Sequence, residues 1–144
     1  MPEEKRLLMK YLLDTNICIA LIRQKPAALI QRLTSLQPGD AGISSITLAE
    51  LFHGVEKSAR PEQNMSALEQ FLLPLDLADF DQDAALAYGK IRSDLERTGQ
   101  IIGSMDILIA AHAVSLNVIM VTNNVQEFQR VKGLFVEDWI SETK

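Results

Sequence analysis

Three acidic residues stand out by their surroundings. Asp14 closes the apolar run Tyr11-Leu12-Leu13, Glu50 sits between Ala49 and Leu51-Phe52, and Asp106 precedes Ile107-Leu108-Ile109-Ala110-Ala111. A surface helix carries a polar face, and a carboxylate set among apolar side chains needs a partner. Singly, each has an ordinary explanation: Asp14 as a helix cap, Glu50 as a solvated residue of an amphipathic helix, Asp106 as a favourable charge in a helix's first turn. Gathered at one place, three carboxylates repel one another, and a divalent cation is the usual reason to tolerate that. Carboxylate-bound magnesium is a standard means of hydrolysing phosphodiester bonds, so this is the chemistry the residues point to.

Strands and helices that alternate along the chain would bring these groups together. Strands are expected at residues 9–13, 41–44, 75–77, 118–121 and 134–136. Helices are expected at 15–23 and 26–36, then from a Ser45 cap through Leu48, Leu51, Phe52 and Val55. Three more run from Pro61 to just before Pro74, from Asp81 or Asp83 to Gly99, and from a Ser104 cap to Leu116. Such alternation implies an α/β fold with a mostly parallel sheet, whose ligands bind beyond the carboxyl ends of the strands. Asp14 follows the first strand, Glu50 opens the helix after the second, and Thr122, Asn123 and Asn124 follow the strand ending at Val121. Asp106 lies in the first turn of the helix leading into that strand, so topology alone places it less firmly.

The chain has 144 residues, 47% apolar and 23% charged, which suits one soluble domain with its own core. No apolar run approaches the roughly 20 residues that span a bilayer, and the charged N-terminus lacks a signal-peptide core. Cytoplasm is the expected location. One cysteine, Cys18, agrees with this and reads as a buried, inert thiol. The net charge of −5 argues mildly against a nucleic-acid partner. An acidic metal site lowers net charge without repelling substrate once the cation is bound. Basic residues also come in pairs: Lys5 and Arg6, Arg23 and Lys25, Lys90 and Arg92, Arg130 and Lys132.

Four segments, in order and spacing, resemble the PIN-domain ribonucleases and specifically VapC toxins of VapBC toxin–antitoxin pairs. They are Tyr11-Leu12-Leu13-Asp14-Thr15-Asn16, Ser44 to Leu51, Ile102 to Ala113, and Val121-Thr122-Asn123-Asn124 with Glu127-Phe128 following. The resemblance covers residues 9–139 and implies a three-layer α/β/α sandwich. It implies Asp14, Glu50 and Asp106 as catalytic acids and magnesium ligands, with manganese able to substitute. Thr15, Asn16 and Thr122 are implied as groups that orient ligands or water. Many relatives carry a fourth acid where this chain has Asn124; here the position is neutral, which weakens a second metal position, though Asn124 can offer a carbonyl oxygen or orient a water. Glu127 is the alternative acid, read first as a solvated helix residue. Segments 58–62 and 124–139 resemble the subgroup that cuts initiator tRNA in the anticodon region, leaving a 5′-phosphate and a 3′-hydroxyl. A VapB-like antitoxin and a homodimer are the implied protein partners. The whole chain, 1–144, reads as one PIN domain, with residues 1–8 as an extension.

Neither histidine is required as acid or base. His112 reads as a structural hydrogen-bonding group, and His53, three residues after Glu50, makes only half of a metal motif that works in duplicate. The alternatives are a haloacid-dehalogenase-like phosphatase, which wants an acid where Asn16 stands, and a non-catalytic protein-binding module. The apolar stripes at residues 29–36 and 48–55 exceed the apparent needs of one small core and are candidates for dimer or antitoxin contacts.

Overall fold

The computed structural model of the protein describes residues 9–140. The expected extension at residues 1–8, with Lys5 and Arg6, lies outside them. Among the described residues the order is β1 (Tyr11–Leu13), α1 (Thr15–Ile22), α2 (Ala27–Thr34), β2 (Ala41–Ser44), α3 (Ser45–Glu56), α4 (Pro61–Leu72), β3 (Asp76–Ala78), α5 (Gln82–Arg97), α6 (Ser104–Leu116), β4 (Ile119–Val121), α7 (Val125–Phe128) and β5 (Phe135–Glu137). All five strands pair in parallel in the order β3-β2-β1-β4-β5.

Side chains alternate across a strand, so each strand feeds two cores. Leu13, Ile43 and Val121 face a cluster built with Ile17, Cys18 and Leu21 of α1, Leu29 of α2, Leu51 and Val55 of α3, and Leu68 of α4. Leu12 and Met120 face the opposite cluster, with Leu95 of α5, Ile107, Ile109 and Ala110 of α6, and Phe128 of α7. The result is the expected three-layer α/β/α sandwich. Trp139 is fully buried in the first cluster. Its ring meets Tyr11 edge-on at 5.2 Å between centroids, and its Nε1–H donates to Glu137 at 2.9 Å. Gly42 is required by close approach: a Cβ there would sit 2.6 Å from the Asp76 carbonyl oxygen.

Two expected caps shift by one residue. Ser44, not Ser45, caps α3 by accepting the Ile46 N–H, while Ser45 accepts the Phe80 N–H across the β3–α5 turn. Gly103 precedes α6, and Ser104 is already helical with no side-chain cap bond. Asp81 rather than Asp83 caps α5. The apolar stripes on α2 and α3 turn out to serve the core. Leu29, Leu51 and Val55 are buried and Leu33, Leu36 and Leu48 pack against them, which leaves Phe52, 40% exposed, as the large apolar residue they present outward. No helix among the described residues is long and apolar enough to cross a membrane.

Candidate active site

Strand order reverses between β1 and β4, and ligands of open α/β sheets bind in the crevice beyond that point. Asp14 stands there. The Asp14 N–H donates to the Val121 carbonyl at 3.0 Å, extending the β1–β4 ladder by one residue. Its backbone then turns out of the sheet as the N-cap of α1, and its carboxylate accepts the Ile17 N–H at 2.8 Å. The cap and the site are therefore the same side chain, held by the cap bond at 4% exposure. Thr122, the first residue after β4, is buried; it donates its hydroxyl to Asp14 and accepts the Asn124 N–H at 3.0 Å. Burial pushes the Asp14 carboxyl from its ordinary 3.8 up to about 6. The two hydrogen bonds pull it down, and the charges of Asp106 and Glu50 push it further up.

Asp106 reaches the same edge because α6 runs down the sheet and returns at Asn117, whose left-handed backbone (φ 59°) ends the helix just before β4. Its first turn is thus at the carboxyl edge. Asp106 is half-buried, and its Oδ2 lies 3.5 Å from where a side chain at Gly103 would begin, so the glycine leaves this side open. Burial pushes its carboxyl above the usual range, and the charges of Glu127 and Glu50 add to that. Glu50, half-buried in α3, accepts a hydrogen bond from the Thr15 hydroxyl. Thr15 Oγ1 lies 3.2 Å from Thr47 Oγ1, and with its own proton given to Glu50 it is left to accept from Thr47.

Three acids far apart in sequence are therefore brought to one edge, where the charges of Asp106 and Glu50 reach Asp14 and that of Glu50 reaches Asp106. Glu127 joins them beside Asp106. It is half-buried, its charge raises Asp106 more than that of Glu50 does, and it accepts the Asn124 side-chain amide at 2.9 Å. The available signal was its spacing of three from Asn124 across the start of α7. Asn16 is exposed and makes no hydrogen bond to these acids among the described residues. His53 is exposed as well. His112 is buried in α6 with Nδ1 2.8 Å from Ser44 Oγ and its ring edge-on to Phe80, a structural role that ties α6 to β2. Burial lowers its pKa. Cys18 is buried, and burial raises its thiol well above the ordinary range, so it is inert.

The donor set fits a hard divalent cation in kind: oxygen only and acidic, with Asp14 raised first by burial and further by its acidic neighbours. Among the described residues no group of three or more His, Cys, Asp or Glu side chains converges closely enough to hold a metal ion between them. Magnesium takes one or two carboxylates and keeps several waters, so an open set suits it better than a cage would. The basic residues regroup in space. Arg23 lies with Lys57 along a cleft of about 470 Å³ that Glu50 also lines, while Lys90 lies with Lys132 along another, of about 400 Å³, between α5 and the end of α6.

The sequence pattern of the PIN domain matches residues 11–134. The tRNA(fMet)-specific endonuclease VapC of Shigella flexneri is 48% identical over 132 residues, 92% of this chain and 99% of that protein. The crystal structure of DNA-bound VapBC from Salmonella typhimurium superposes with a TM-score of 0.86 at 44% identity, covering 91% of this chain and 98% of the solved one. VapBC2 from Rickettsia felis, bound to a DNA fragment from its promoter, gives 0.85 at 44% identity, covering 91% and 99%. With the family pattern matching residues 11–134 and these relatives covered nearly end to end, this protein belongs to the PIN-domain family, among the VapC ribonucleases.

Proposed function

We propose that the protein is a magnesium-dependent endoribonuclease, the toxin of a toxin–antitoxin pair, that cuts initiator tRNA in the anticodon region. The carrying observation is the convergence of Asp106 and Glu50 on the buried Asp14 at the strand-order reversal. The named activity of the Shigella relative supports the choice of tRNA. The VapBC assemblies of two other relatives support a VapB-like partner.

Asp14 and Asp106 would hold the ion, with Glu50 as a further ligand or as the group that orients a water. Magnesium, when bound, lowers the pKa of water and neutralises charge developing on the scissile phosphate. The chain supplies the geometry. Ile17 N–H and the Thr122 hydroxyl fix Asp14, Thr15 fixes Glu50, and the Asn124–Glu127 pair closes the side next to Asp106. Crowded acids held in place this way are repelled from one another and gain from a shared cation. A phosphatase using Asp14 as nucleophile would need an acid at position 16, where Asn16 is neutral and exposed.

The test is cleavage of transcribed initiator tRNA by purified protein, with end mapping, in magnesium and in EDTA. Cleavage in the anticodon loop that EDTA stops and magnesium or manganese restores is expected. Asp14→Asn and Asp106→Asn should each lose at least about 10³-fold in rate, several kcal/mol of charge stabilisation. Either variant cutting at the parent rate overturns the site.

A further inference from the structure

Glu50 belongs to two places at once: it faces the other acids and it also lines the cleft between α1, α3 and α4. We propose that this cleft holds the nucleotide next to the scissile phosphate of the RNA, with Arg23 and Lys57 neutralising its flanking phosphates. The inference rests on the ribonuclease reading and deepens it by naming where the substrate strand runs.

Arg23 ends α1 and Lys57 ends α3, so two separate helices deliver one cation each to the same cleft. Neither side chain makes a hydrogen bond or ion pair with another described residue. A cation at a helix C-terminus is favourable on its own account, and that explains either residue alone. It does not explain why both line one cleft, next to an acid of the candidate site, in a chain whose net charge is −5. Phosphate neutralisation supplies most nucleic-acid affinity, and an acidic protein needs its unpaired cations where the strand lies. The cleft volume, about 470 Å³, falls within the range of small-ligand pockets and takes a nucleotide. The half-buried Ile19 and Ile22 give it an apolar wall for the face of a base, and the exposed Asn64 offers an amide donor and acceptor for a base edge.

The double variant Arg23→Gln/Lys57→Gln tests this, with labelled initiator tRNA transcript as the probe. Both residues end helices at the surface, so the fold is checked by thermal unfolding, and Arg23→Lys/Lys57→Arg serves as the charge-keeping control. KM should rise while kcat holds, and the control should restore KM. Two lost single-strand phosphate contacts lower the salt slope by about 1.4, so between about 50 and about 200 mM salt the parent should lose about sevenfold more affinity than the variant. A parent that cleaves RNA beside a variant with unchanged KM and salt slope overturns this inference and leaves the ribonuclease reading standing. A parent that cleaves no RNA in magnesium overturns both. A variant that cleaves like the parent but escapes inhibition by the purified antitoxin assigns the cleft to a protein partner and also overturns it.

Discussion

Asp14→Asn should remove activity and, in metal-free protein, raise stability. The folded protein keeps a proton on Asp14 up to about pH 6, whereas the unfolded chain releases it near 3.8. Between those values the native state binds more protons, so stability falls as pH rises through that window, and at neutral pH the full cost remains. Roughly two pKa units correspond to about 3 kcal/mol. Asparagine carries no charge and can still accept the Ile17 N–H as a helix cap. It has one acceptor oxygen where the carboxylate has two, so the Thr122 hydroxyl must turn, at about 1 kcal/mol. The net gain is about 2 kcal/mol, or about 7 °C in Tm for a chain of 144 residues. Denaturant and thermal unfolding of both proteins in EDTA, at pH 7.5 and near pH 4, measure it. His112, whose lowered pKa makes stability fall as pH drops below its ordinary 6.5, acts equally in both proteins and cancels in the difference. The gap should close towards pH 4, and added magnesium should raise the parent's Tm alone. An asparagine variant less stable than the parent at pH 7.5, by an amount independent of pH, refutes the reasoning.

Thr15→Val removes the hydroxyl that holds Glu50 and partners the buried Thr47; cleavage should drop about 10–100-fold, and stability by about 1–3 kcal/mol in thermal unfolding. Gly42→Ala should cost about 1–3 kcal/mol in urea unfolding, because strand β3 must move away from the new methyl. Trp139→Ala empties a fully buried site packed on Tyr11 and should cost about 3–5 kcal/mol by the same measurement.

The five strands are readable from sequence because short apolar runs bounded by turn residues fit little else in a chain of this length. Asp14 and Asp106 are readable for a related reason, since each interrupts or borders a run that must be buried. Hydroxyl caps are less so: in Ser44-Ser45 either residue can accept a helix N–H, and only the position of the β3–α5 turn, far away in sequence, decides that Ser45 bonds Phe80 instead. Helix α7 is a single turn and has no periodicity to show. That is also why Glu127 resembled a solvated residue until its orientation towards Asp106 was visible. The pairing of Arg23 with Lys57, rather than with its neighbour Lys25, follows from two helices ending at one cleft. No local pattern carries that information.

The central position of β1 has a consequence for how the protein is made. Tyr11–Leu13 leaves the ribosome about a hundred residues before its partner on one side, Ile119–Val121. Until that late strand inserts, Asp14 lacks Thr122 and stands apart from Asp106. A chain made only as far as α6 therefore carries Asp14, Glu50 and Asp106 without the strand that brings Thr122 to the crevice.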